Sequence, residues 1–185
     1  MLTNVKLFLN DRPWLKFLVS FCIIYFTLYY LFLGYVALDD DKGSYYSPFL
    51  HKYSIIQALT DLLKHQVGFV MELFGYETYY SRIGIHLNNG LIVFIQFPCL
   101  ALQIMIAFTA LMLAFKAPYR WWYLIGGLLM VQFLNVGRML AIFYFWINGS
   151  RPTAELVHGW FNYFAYACIL LLFYIYIRGN KKLLA

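Results

Sequence analysis

Charge is what this sequence has least of. Only 12% of its 185 residues are Asp, Glu, Lys or Arg, about half the share of an ordinary soluble domain. Hydrophobic residues make up 63% and aromatic residues 22%, which leaves too little polar surface to face water. That balance excludes a soluble enzyme and a disordered tail. Cysteine is scarce too: Cys22, Cys99 and Cys168 are an odd number and contain no CxxC pair. A secreted disulfide scaffold is excluded on that count, and a thiol-redox protein lacks a second cysteine near Cys99. The chain also has no internal repeat, no low-complexity stretch and no dividing linker. A single membrane domain over residues 1–185 is the class that remains. A cleavable signal peptide is not expected, because the first apolar run is long and lacks a small-residue cleavage site.

Crossing a bilayer takes about 20 apolar residues in a helix. Four stretches qualify, at about 14–38, 96–115, 121–147 and 157–177. Trp14 anchors the first at the interface, Pro98 interrupts the second, Arg138 is the one formal charge in the third, and His158 opens the fourth. Residues 39–95 form the largest segment outside the spans. Within it, Ser54 to Tyr76 holds Asp61, Lys64, His65 and Glu72, too many charges for a lipid-exposed span. Its apolar residues, among them Ile55, Leu59, Leu62, Leu63 and Leu73, fall near helical spacing. This predicts an amphipathic helix, either lying at the membrane surface or covering the bundle. Further on, Asn89-Gly90 between the apolar flanks of 84–95 suggests a short β-hairpin. The expected fold is therefore an all-α integral membrane protein with about four transmembrane helices and this added segment.

The formal charge of +6 is explained by topology. Lys6, Arg12, Lys16, Lys116, Arg120, Arg178, Lys181 and Lys182 all fall on one side of the four spans, with Asp11 the only acid there. The positive-inside rule then puts both termini in the cytoplasm and residues 39–95 outside. Once the basic residues are a topology signal, nucleic acid is not an expected partner; the lipid bilayer is.

Cys22 and Cys168 read as small apolar packing residues. Cys99 differs because it follows Pro98, and proline favours the first position of a helix. A helix beginning there would hold Cys99 in its first turn, where thiolate is favoured. Arg138 lies 17 residues beyond Trp121, about 26 Å along a helix. That is near the outer boundary but still within the span, where a charge either snorkels to head groups or serves function. His158 reaches the same outer level. Cysteine as nucleophile, histidine as general acid and base, and arginine stabilising the oxyanion or holding a substrate carbonyl can together form an acyl-transfer centre. Behind each lies an amide one turn deeper: Gln103 after Cys99, Asn135 before Arg138, Asn162 after His158. These amides either orient the site or serve as interhelical hydrogen-bonding groups. His51, His65 and His86 have no ligand spacing, so neither a metal nor another cofactor is expected.

The ordered set of Cys99, then Asn135-Val136-Gly137-Arg138, then His158 resembles the exosortase/archaeosortase family of membrane-embedded cysteine transpeptidases. The likeness extends over about residues 83–177 and suits a short form of the kind seen in Bacteroidetes. One departure is Leu100-Ala101, where many relatives carry a small residue and then glycine. The resemblance implies a cytoplasmic (inner) membrane enzyme whose site faces the extracytoplasmic side. Its substrate would be an exported protein ending in a recognition motif, a transmembrane helix and a basic tail. Cys99 would form an acyl-enzyme that passes to an amine acceptor or to water. The competing expectation is a non-enzymatic assembly or scaffold protein whose Arg138 and His158 meet partner helices or lipid head groups.

Overall fold

The computed structural model describes residues 12–40, 45–82, 84–88, 90–95, 97–115, 117–149 and 151–180. Lys6, Asp11, Asn89, Lys116, Lys181 and Lys182, all used in the reading above, lie outside the described residues. The protein is mostly helical. Helix α1 spans Pro13–Asp39, α2 Pro48–Lys52 and α3 Ile55–Leu73. Strands β1 (Thr78–Tyr80), β2 (Gly84–Leu87) and β3 (Ile92–Phe94) follow, then a 3-10 turn at Phe97–Leu100. Helices α4 (Leu102–Ala114), α5 (Arg120–Ile147) and α6 (Arg151–Gly179) come next. Among the described residues three helices are long and apolar enough to cross a membrane: α1, α5 and, from Pro152, α6.

The expected span at 96–115 is not one helix. Its regular part is the 13 residues of α4, about 20 Å long against a hydrocarbon core of about 30 Å. Pro98 sits in the 3-10 turn, and Ala101 adopts a left-handed conformation at φ 54° that separates the turn from α4. Cys99 therefore precedes the helix instead of occupying its first turn. The fourth span also starts earlier than expected, just after Gly149 at φ 76°, with Pro152 near its N-terminus. His158 consequently lies two turns inside α6 and does not open it.

Aromatic contacts fix the relative direction of the helices. Phe17 near the start of α1 stacks on Phe173 near the end of α6 at 5.9 Å, and Phe115 after α4 meets Tyr176 at 5.6 Å. Tyr123 at the start of α5 lies 4.9 Å from Tyr176. The start of α1, the end of α4, the start of α5 and the end of α6 thus share one end of the bundle. At the other end Phe32 stacks on Phe97 at 5.6 Å. Neighbouring helices run antiparallel, so Arg12, Lys16, Arg120 and Arg178 are gathered at one end.

Two cores stack along the bundle. The first joins Phe108 and Met112 of α4 to Val131 of α5 and to Ile169, Phe173 and Tyr176 of α6. Gly127 is required in it, because a Cβ there would overlap the Phe108 ring. The second joins Leu63, Val67 and Met71 of α3 to Ile85, Leu87 and Val93 of the sheet and to Met139, Ile142 and Phe143 of α5. Helix α3 thus covers the bundle, with Ser54 capping its N-terminus through the Gln57 N–H. Ile55, Leu62, Phe69, Leu73 and Phe74 remain exposed on its other side.

The hairpin at 84–95 is present as β2 and β3, and β1 adds a third antiparallel strand in the order β1-β2-β3. The two cores meet at Leu100, Ala101, Asn135 and Arg138. The candidate site lies at that seam.

Candidate functional site

Arg138 organises the seam. It is 2% exposed; its Nη2 donates to the Cys99 carbonyl at 2.7 Å and its Nη1 to Asn162 Oδ1 at 3.2 Å. The backbone explains the first bond. A 3-10 turn followed by a left-handed residue breaks the helical ladder, so the Cys99 carbonyl needs a donor from elsewhere. A buried carbonyl needs a partner within the protein, and a guanidinium with several fixed donors supplies one. The Nε of Arg138 bonds none of the described residues. Among the described residues no carboxylate lies within ion-pair distance of it. A buried cation without a counter-charge is expensive, and it attracts negative charge that forms nearby.

Two cavities adjoin at His158. The smaller, about 130 Å³, is lined by the polar side chains Gln103, Arg138, His158, Asn162 and Tyr166, with Phe97, Pro98 and Ala101. The larger, about 270 Å³, is lined by Cys99, His158 and Glu155 with the apolar Val93, Phe94, Met139, Ile142 and Trp146. The free, half-buried thiol of Cys99 thus shares a cavity with the imidazole of His158. The guanidinium on the Cys99 backbone shares the other with that same imidazole. A carbonyl entering the larger cavity meets a nucleophile and a proton carrier, next to a cation held on the nucleophile's own peptide group.

The structure brings Cys99, Arg138, His158 and Asn162 together at one level. It pairs them differently from the expected scheme. Asn162 accepts from Arg138 and not from His158. His158 makes no hydrogen bond to Cys99 or Arg138 among the described residues. Gln103 is exposed and reaches the polar cavity from the far side of the backbone break, so it does not sit beneath Cys99 on a common helix face. Asn135 is 3% exposed beside Arg138, and neither of its amide atoms bonds a described residue.

Three further residues enter the site. Tyr166 follows His158 and Asn162 at i+8 and i+4 on α6, a helical spacing that would have found it. Glu155 lines the Cys99 cavity and carries no separate signal in the sequence. Ala101 supplies the left-handed turn, and its residue type gives no sign of it, because alanine ordinarily favours helix. Tyr79 and Tyr80 lie on β1, at the sheet edge away from Cys99, and line neither cavity. Comparison with family models, curated proteins and solved structures gives no match to this chain.

Proposed function

We propose that this chain is a membrane-embedded cysteine peptidase or transpeptidase of the exosortase type. The buried Arg138, tied to the Cys99 carbonyl at 2.7 Å and lacking a carboxylate partner among the described residues, is the observation that carries this reading. In it, the 3-10 turn and α4 together make the second of four crossings. Both termini lie in the cytoplasm, and the seam faces the extracytoplasmic side of the inner membrane.

The substrate is an exported protein ending in a motif, a transmembrane helix and a basic tail. Its scissile carbonyl enters the cavity that holds Cys99 and His158. His158 takes the Cys99 proton, and the thiolate adds to the carbonyl carbon. Arg138 faces the negative charge that forms on the carbonyl oxygen. His158 then gives its proton to the leaving amine, and the C–N bond breaks to leave a thioester on Cys99. An amine acceptor or water next attacks the thioester, passes its proton through His158 to the cysteine sulfur, and releases the product.

The test is a Cys99→Ala variant present in the membrane at the wild-type level. Processing of a co-expressed protein with such a tail should cease. Undiminished processing would sink the enzyme reading and leave the scaffold role in its place.

A further inference from the structure

The larger cavity has a sheet edge for one wall. Among the described residues, strand β3 pairs with β2 on one side and with no strand on the other. Its hydrogen-bonding phase follows from the printed bonds and the register. The Leu87 N–H donates to the Leu91 carbonyl at 2.9 Å, and the strands pair Ile85 with Val93 and His86 with Ile92. Antiparallel pairs alternate between bonded and non-bonded, so Val93 exchanges its main-chain bonds with Ile85. Ile92 and Phe94 then turn their N–H and C=O groups away from β2.

The other side of β2 keeps the same phase. The Ser81 N–H donates to the Gly84 carbonyl at 3.0 Å and the Asn88 N–H to the Glu77 carbonyl at 3.2 Å. Ile92 and Phe94 are 38% and 54% exposed. Phe94 lines the cavity that contains Cys99 and His158, and the turn bearing Cys99 begins at Phe97.

We infer that the free edge of β3 binds the extended juxtamembrane segment of the substrate as a fourth strand, and that this pairing sets the scissile carbonyl beside Cys99. The inference rests on the peptidase reading and names how its substrate is held. The occupant is a peptide main chain because the edge offers alternating donors and acceptors. Such an edge takes an extended segment by backbone hydrogen bonds, while pockets beside it read alternate side chains. Here the pocket is apolar, with Met139, Ile142 and Trp146 opposite the strand. The edge continues directly into the cavity of the reactive thiol, so the pairing register fixes which peptide bond is presented.

The experiment uses the full-length protein in nanodiscs. The probe is a peptide covering the juxtamembrane stretch of a tripartite-tail protein processed in the same cells. Phe94→Pro removes the outward N–H without cutting a bond to β2, a position at which strands tolerate proline. Phe94→Ala removes the side chain and keeps the N–H. Phe94→Pro should raise the peptide KM at least tenfold and Phe94→Ala clearly less, with both variants entering the nanodisc at the wild-type yield. Replacing successive peptide amides by esters upstream of the scissile bond should raise KM at every second position. Equal effects of proline and alanine, or ester effects without alternation, would overturn the edge inference while leaving the peptidase reading intact. A wild-type protein that never acylates Cys99 with the probe overturns both, and does so before any variant is compared.

Discussion

At the scale of single residues, the account turns on what Arg138 holds. Two of its nitrogens bond Cys99 and Asn162 while Nε bonds none of the described residues, so charge alone is not its contribution. Arg138→Lys keeps the cation and loses the fork that holds the Cys99 peptide and Asn162, and on the proposed reading acyl transfer should fall by about 10², the cost of a small misplacement of the reacting groups. Single-turnover rates at unchanged membrane levels would check this. Ala101 gives a prediction of opposite sign. At φ 54° a Cβ costs roughly 1 kcal/mol, so Ala101→Gly should leave the thermal midpoint unchanged or raise it by a few degrees. The sequence makes Arg138 legible because a lone charge in an apolar span has no bland surroundings to hide in. Pro98 beside Cys99 marks a break in the apolar run, but Cys99 lies in a 3-10 turn before the helix and not in the helix's first turn. The left-handed Ala101 is not legible, because alanine ordinarily favours helix and only tertiary context forces it out. That hidden break is also why Gln103 and Cys99, expected on one helix face, are separated.

At the scale of elements, close packing and a buried charge set the stability. Gly127 lies against Phe108, whereas a Cβ on Gly126 would meet nothing within 4 Å. Gly127→Leu should destabilise the α4–α5 contact by about 1–3 kcal/mol through overpacking, and Gly126→Ala should be close to neutral or mildly stabilising. Melting in detergent distinguishes the two.

Helix α3 shows where periodicity misleads. Lys64, one of the charges that mark the segment as amphipathic, is nonetheless buried, donating to the Ser81 and Arg82 carbonyls at 2.8 and 3.1 Å and pairing with Asp61 at 2.6 Å. Its ammonium, hydrogen-bonded to Asp61, holds that carboxyl below its usual range. A depressed carboxylate pKa stabilises the fold above the unfolded value of about 4 and loses that contribution as pH falls through the folded value. Amide exchange near Ser81 and Arg82, corrected for intrinsic rates, should therefore rise below about pH 4. In Asp61→Asn it should be raised at neutral pH already. An apolar pattern locates such a helix, but the strand-end carbonyls that capture Lys64 come from a loop whose path the pattern does not encode.

At the scale of the whole molecule, the arrangement is an antiparallel bundle that gathers Asn135, Arg138, His158 and Asn162 at one level. Spans α1, α5 and α6 are legible as long apolar runs, and the short α4 is not, because composition alone does not reveal where backbone unwinds. The unwound turn, the end of the sheet and the buried arginine all fall where the two cores meet. On the proposed reading, that coincidence makes the seam the place where the chemistry occurs. If the proposed topology holds, single cysteines at Tyr45 and Tyr119, with native cysteines replaced, will label oppositely. An impermeant maleimide applied to intact cells should reach Tyr45→Cys and not Tyr119→Cys; the reverse pattern would invert the orientation. The central claim, that Cys99 carries an acyl group from its substrate, has a direct measurement. Mass spectrometry of the protein after brief reaction with a tripartite-tail substrate should find the substrate's motif end bound to the peptide containing Cys99. That adduct should be released by hydroxylamine and absent in Cys99→Ala. Continued processing by Cys99→Ala, with no adduct on the wild-type cysteine, would contradict the account.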